Sequence, residues 1–116
     1  MLFMLIVYAS RNSEAGELPS VELMDAMDKY NDDLVEAGVR VMAKGLHPSS
    51  EGLRILFPVP GGEPVLESGP FADVQNVVAG FFLIDVQSKE EAIQWAKKVP
   101  DPQGFGEGKV ELRQVS

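Results

Sequence analysis

The sequence predicts one α+β domain with an antiparallel sheet and two helices on one face of that sheet. Apolar or alternating runs predict the strands, and two segments with apolar residues at three- and four-residue steps predict the helices. Their order is strand, helix, strand, strand pair, strand, helix, strand, which is a split β-α-β arrangement with an added β-hairpin. The 116 residues suffice for one hydrophobic core and not for two, so the predicted domain spans residues 1–116.

The first half of the chain is predicted to form a strand, a helix and a second strand. Residues 2–8 are apolar without alternation, which is typical of a strand covered on both faces. A loop over residues 11–19 follows, and Ser20 caps a helix that runs to about residue 37. Gly38 suits a left-handed helix end, and the alternation over residues 39–44 predicts a half-exposed strand. The predicted apolar face of the helix comprises Met24, Met27, Asn31, Leu34 and Val35.

The second half is predicted to form a hairpin, a buried strand, a helix and a closing strand. Residues 53–57 and 65–67 are short strand candidates joined by a loop rich in proline and glycine. A buried strand covers residues 78–86, and Ser88 with Glu91 forms a helix-capping box. This helix stops before Pro100, and residues 110–115 alternate as the last strand. The predicted apolar face of the second helix comprises Ala92, Trp95, Ala96 and Val99.

The two most apolar strands predict a homodimer. Residues 2–7 and 81–84 are apolar on both faces of the pleat, whereas two helices can cover only one face of a sheet. Soluble monomers rarely expose apolar patches larger than a few hundred Å². The simplest cover for the second face is the same sheet of a second copy, packed face to face.

Composition argues against several classes of partner and cofactor. The formal net charge is −8 and the largest basic cluster is Lys97-Lys98, which is unfavourable for nucleic-acid binding. The apolar start of the chain is too short to span a bilayer and lacks a preceding positive charge. The chain has no cysteine and one histidine, so no metal site within one protomer and no cofactor is predicted. These features favour a cytoplasmic protein.

Several blocks spread over the sequence form a specific pattern. The blocks are residues 3–6 (FMLI), 34–39 (LVEAGV), 45–50 (GLHPSS), 69–72 (GPFA), 80–84 (GFFLI) and 88–97 (SKEEAIQWAK). Together they resemble the YCII-related family, in particular its DGPF subgroup, which is named for an Asp-Gly-Pro-Phe motif. The resemblance implies a ferredoxin-like fold in the dimeric α+β barrel group. It also implies a histidine–aspartate pair, proposed in some relatives, and a regulatory association with extracytoplasmic-function sigma factors. Here Ser68, before Gly69-Pro70-Phe71, stands where the Asp-Gly-Pro-Phe motif has its aspartate, and the first helix contains no histidine.

Four residues are candidates for the site. Histidine is the residue type that most often transfers protons near neutral pH, which makes His47 the candidate for proton transfer, although a loop histidine can also simply face water. Ser68, Phe71 and Asp73 are candidates for lining a ligand site beside the Gly69-Pro70 turn. Ser68 can donate or accept a hydrogen bond but cannot act as a base, and it can equally serve only to shape the turn.

Two other patterns have simpler interpretations. An acidic stripe on the first helix imitates a metal or acid/base cluster but is more typical of a solvated face, moderated by Lys29. Residues 104–108 resemble a nucleotide-binding loop, yet they precede a strand and lack the P-loop lysine. They are therefore interpreted as a flexible loop. The stripe comprises Asp25, Asp28, Asp32 and Glu36.

Two functions fit these residues. One is a dimer that binds a small organic molecule or a regulatory protein partner, with the ligand in a cleft near His47 and the Gly-Pro-Phe turn. The alternative is a small enzyme in which His47 is the general acid/base. The loss of the motif aspartate and the scarcity of groups that titrate near neutrality favour binding. A cofactor-free oxygenase is a third possibility that rests only on analogy of fold.

Overall fold

The computed structural model describes residues 1–104 and 106–116 and has the predicted α+β architecture. Phe105, in the predicted loop over residues 104–108, lies outside the described residues. The strands are β1 (Leu2–Tyr8), β2 (Arg40–Gly45), β3 (Leu53–Leu56), β4 (Val65–Ser68), β5 (Val78–Asp85) and β6 (Val110–Gln114). The helices are α1 (Arg11–Glu14), α2 (Val21–Glu36) and α3 (Lys89–Lys97), with short 3₁₀ turns at Ser49–Glu51 and Val74–Asn76.

The main sheet has four antiparallel strands in the order β2-β5-β1-β6. The two central strands are the two most apolar segments, because a central strand needs cover on both faces. β3 and β4 pair with each other as a separate two-stranded hairpin. The strand order and the two crossover helices match a ferredoxin-like fold.

One face of the sheet packs against α2 and α3 and forms the core. Phe3, Leu5, Leu34 and Ile84 are fully buried there. The ring of Tyr30 meets two core aromatics edge-on, and its hydroxyl donates to the Trp95 carbonyl at 2.8 Å. Burial raises the pKa of Tyr30 far above its ordinary value, so the hydroxyl keeps its proton and remains a donor.

The ends of α2 follow the sequence signals, but its buried face differs from the predicted one. Ser20 Oγ accepts from the Leu23 amide at 3.1 Å, and Gly38 has φ +73°. Met24 and Val35 are 46% and 56% exposed, so their predicted place in the core is wrong. The buried face instead centres on Tyr30 and Leu34, because residues four apart lie on one side of a helix. The acidic stripe of α2 is exposed, and Lys29 pairs with Asp33 at 3.1 Å.

Two local predictions need correction. The predicted loop over residues 11–19 begins with α1, whose first turn is closed by reciprocal hydrogen bonds between Ser10 and Ser13. At α3, Ser88 Oγ accepts from the Glu91 amide at 3.1 Å as expected, but the Glu91 carboxylate accepts from the Gln87 amide. The carboxylate reaches one residue further back than in the standard box.

The other face of the sheet carries apolar side chains that α2 and α3 do not cover. The registers place Met4 opposite Leu83 and Ile6 opposite Phe81 on this face, and all four side chains are only partly buried. The β3-β4 hairpin also exposes apolar residues, of which Phe57 is 72% and Leu66 is 63% exposed. The prediction that two helices cover only one of two apolar faces is therefore confirmed for the protomer.

Candidate functional site

His47 lies in the loop between β2 and β3, at the edge of an open cleft. Its side chain is 82% exposed, and Nδ1 is 3.1 Å from Glu51 Oε1 across the 3₁₀ turn. A carboxylate at one ring nitrogen orients the imidazole and leaves Nε2 available to a ligand. Sequence reasoning missed Glu51 as the partner, although its position four residues after His47 was a usable signal.

The buried side chain of Ser49 holds the surrounding loops together. Its amide donates to Glu14 Oε2 at 2.9 Å, and its hydroxyl donates to Glu14 Oε1. The same hydroxyl accepts from the Phe71 amide at 3.0 Å. Ser49 therefore connects α1, the His47 loop and the Gly-Pro-Phe turn through one residue.

The Gly-Pro-Phe turn packs against the backbone of this loop. The Gly69 amide donates to the Gly52 carbonyl at 3.1 Å, and the Gly69-Pro70 peptide bond is cis. A Cβ atom on residue 69 would lie 1.6 Å from the Ser49 carbonyl oxygen, which no rearrangement of a side chain could relieve. Glycine is needed at position 69 because two backbone segments meet there.

Arg54 connects the turn to two carboxylates. Its guanidinium stacks 3.8 Å above the centre of the Phe71 ring and donates to Asp73 at 2.9 and 3.3 Å. It also lies 3.4 Å from Glu67. The hydrogen bond from Arg54 holds the pKa of Asp73 below its ordinary value. Asp73 is therefore an ionised partner of Arg54 and is poorly suited to act as a base.

The cleft brings together two of the four predicted residues. His47 and Phe71 line a cavity of about 320 Å³, together with Ser49, Glu51 and Arg54. Asp73 adjoins this cavity through Arg54 but does not line it. Ser68 is exposed at the end of β4, opposite Leu53, and is not among the lining residues. We call this cavity the His47 cleft.

The described residues contain neither a grouped set of metal ligands nor a membrane-spanning helix. Within residues 1–104 and 106–116, no three histidine, aspartate or glutamate side chains are grouped closely enough to hold one metal ion. In the same part of the chain, no helix is long and apolar enough to cross a membrane.

The sheet order, the two crossover helices and the added hairpin define a ferredoxin-like α+β domain. The YCII-related domain matches residues 1–116, so the chain belongs to the YCII-related family. The resemblance drawn from the sequence blocks is thereby confirmed at the level of the family. No curated protein gives a significant sequence match.

Proposed function

We propose that this protein is a cytoplasmic homodimer that binds a small organic molecule in the His47 cleft. The observation that supports this proposal is one cavity lined by His47, Phe71 and Arg54, next to the Ser49 hydrogen bonds that join the His47 loop to the Gly-Pro-Phe turn. The cleft offers an imidazole edge, an aromatic ring and a guanidinium, which suit an organic ligand with both polar and flat apolar parts. Asp73 contributes to this site by holding Arg54 against Phe71.

The homodimer is supported by the uncovered face of the sheet. Met4, Ile6, Phe81 and Leu83 form a continuous apolar area across the two central strands. A second copy supplies an identical apolar face, and a twofold axis brings two such faces together. The exposed apolar residues of the β3-β4 hairpin extend the surface that a partner could cover.

The dimer is tested by sedimentation at micromolar concentration. The wild-type chain should sediment at twice its mass of 12.6 kDa, and Leu83→Asp should give a folded monomer. Val35→Asp is the matched control because it places the same charge at an exposed apolar position on α2. A wild-type monomer, or a dimer that survives Leu83→Asp, would contradict face-to-face packing.

Ligand binding is tested by a thermal-shift screen of a metabolite library. A ligand that binds only the folded state raises the melting temperature, so a hit on the wild type should disappear in His47→Ala. Gln94→Ala, at an exposed position on α3, is the control and should keep the hit. Hits that persist unchanged in His47→Ala would refute a ligand site at His47.

The His47-Glu51 contact favours an alternative function, a small enzyme with His47 as general acid/base. At 3.1 Å the carboxylate can orient the ring for proton transfer at Nε2. For any activity found on a screened ligand, Glu51→Gln should lower the rate and alter its pH profile. An activity with the same rate and pH profile in His47→Ala would exclude this alternative.

The family resemblance adds a regulatory protein as a possible partner of the same dimer. Isothermal titration with a purified extracytoplasmic-function sigma factor is the direct test. Saturable heat would support that association, and its absence would leave the small molecule as the proposed ligand.

A further inference from the structure

We propose a second binding site, in a cavity between α2 and the β2 edge of the sheet, for an amphipathic carboxylate that carries a hydrogen-bond donor. The cavity has a volume of about 650 Å³, twice that of the His47 cleft. Its lining includes Val7, Met27, Asn31, Arg40, Gly45 and Gly80. None of these residues lines the His47 cleft. We call it the α2 cavity.

Glycine residues on the sheet leave the volume of the α2 cavity open. The register pairs Val7 with Gly80 and Gly80 with Gly45, so the two glycines share the helix-facing side with the buried Val7. The next helix-facing position on β2 is Ala43, opposite Phe82. Small or absent side chains therefore occupy the corner of the sheet, and α2 does not fill the volume above it.

The apolar part of the lining suits the body of an organic ligand. Val7 and Phe82 contribute buried side chains from the two central strands, and Met27 contributes a partly buried one from α2. Burial of apolar ligand surface against such side chains supplies affinity without directing the ligand's orientation.

Asn31 supplies an acceptor that lacks a partner. Its Nδ2 donates to the Met27 carbonyl at 3.2 Å, which fixes the orientation of the amide. Its Oδ1 is buried and accepts no hydrogen bond from any residue that the structure describes. Buried polar atoms are nearly always hydrogen-bonded, so this oxygen lacks a donor. It has almost no solvent-accessible surface, so a ligand hydroxyl or amine reaches it only when the lining side chains shift on binding.

Arg40 supplies a cation for a carboxylate. The register places it opposite the buried Ile84, on the side of the sheet that faces the helices. Across residues 1–104 and 106–116, no carboxylate lies within ion-pair distance of its guanidinium. Glu17 also lines the cavity and gives a second acceptor for the ligand's donor group. Lys44 also lines the cavity, but the register places it opposite Phe81, on the other side of the sheet from Arg40. Arg40 on the helix-facing side, two acceptors and an apolar floor together define the proposed ligand class.

The probe for this site is 4-hydroxyphenylacetate, titrated into ¹⁵N-labelled protein. The largest amide shifts should occur at Asn31, Ala43 and Gly80, and they should saturate in the millimolar range. Phenylacetate lacks the donor and 4-hydroxyphenylethanol lacks the carboxylate, so each should bind about tenfold more weakly. Equal affinity of the three compounds, or no saturable shift, would overturn the proposed chemistry.

Three variants test whether the probe binds in the α2 cavity. A Cβ on residue 45 meets no atom within 4 Å, so Gly45→Val can be accommodated in the fold and should abolish binding by filling the cavity. Arg40→Gln should weaken 4-hydroxyphenylacetate about tenfold. Asn31→Leu should remove the preference for 4-hydroxyphenylacetate over phenylacetate, and it remains informative should Gly45→Val fail to fold.

Lys89→Gln is the control, because it removes an exposed cation at the start of α3, away from the cavity. It should leave the affinity unchanged. Wild-type affinity in a folded Gly45→Val, or shifts centred on residues 47–54, would place the probe elsewhere and refute the site. Because the His47 cleft and the α2 cavity share no lining residue, failure of one proposal is distinguishable from failure of the other.

Discussion

The core under α2 and α3 and the His47 cleft are stabilised by different interactions. In the core, Phe3, Leu5, Leu34 and Ile84 are fully buried and make apolar contacts. In the cleft, loops that are distant in the chain meet through hydrogen bonds and ion pairs centred on Ser49 and Arg54. The difference predicts that loss of a core contact lowers the stability of the whole domain, whereas loss of a cleft contact loosens the loops locally.

Truncation of a core side chain should have the largest effect on this comparison. Leu34→Ala removes a fully buried side chain of α2 and should lower the free energy of unfolding by about 3 kcal/mol. Val35→Ala, at the exposed neighbouring position, is the control and should have little effect. Chemical denaturation measures both variants. Similar losses in the two would show that α2 packs on a different face.

Removal of the Ser49 hydroxyl should have the next largest effect. Ser49→Ala deprives the Glu14 carboxylate and the Phe71 amide of a partner, which should cost about 2 kcal/mol. Hydrogen exchange should accelerate at residues 47–54 and 69–73 before it accelerates in the central strands. Ser50→Ala, at the exposed neighbour, should match wild type. Uniform acceleration across the sheet would contradict a locally held cleft.

Loss of the hydrogen bond between Tyr30 and the Trp95 carbonyl should lower the stability less than either of these changes. Tyr30→Phe removes the donor to the Trp95 carbonyl and should cost about 1 kcal/mol. Burial raises the pKa of Tyr30, so the folded state favours the protonated hydroxyl. The contribution of Tyr30 to stability is therefore fully present below the ordinary tyrosine pKa of about 10. Wild-type stability should fall above that pH, and the fall should be shallower in Tyr30→Phe. Parallel pH profiles for the two proteins would exclude this assignment.

Substitution of Asp73, beside the cleft, should have the smallest effect on the free energy of unfolding. This effect should be visible mainly in how the stability depends on pH. The lowered pKa of Asp73 makes its contribution to stability present above the ordinary aspartate value of about 3.9, and it is lost as the pH falls through the lowered pKa. Asp73→Asn should remove this acid-dependent part of the stability. Asp32→Asn, on the exposed stripe, is the control. An unchanged acid limb in Asp73→Asn would contradict the Arg54 pair.

Signals confined to a few neighbouring residues were readable from the sequence. The caps at Ser20 and Ser88, the left-handed Gly38 and the doubly apolar β1 each depend on local hydrogen bonds or on composition. The family blocks identified the loops that carry His47 and Phe71, and these two residues do share a cleft. The prediction that Ser68 and Asp73 line a ligand site stays a prediction, and neither of them lines that cleft.

Contacts between distant segments could not be read in this way. Glu14 lies 35 residues before Ser49, in a segment interpreted as a loop, and Arg54 lies 19 residues before Asp73. The α2 cavity depends on Gly45 and Gly80 meeting across two strands, which only the sheet register decides. Spacing along the chain carries no information about such pairs.

The close approach of Gly69 to the Ser49 carbonyl explains a residue that is needed for packing and not for ligand binding. Residue 69 has no side chain to offer a ligand, and its identity follows from the closeness of two backbones. A Gly-Pro-Phe segment is therefore a mark of how this domain is assembled. A search for the chemistry of a related chain should begin with the residues at positions 47 and 51, because these exposed side chains pair, among the residues that the structure describes, only with each other and do not hold the loops together.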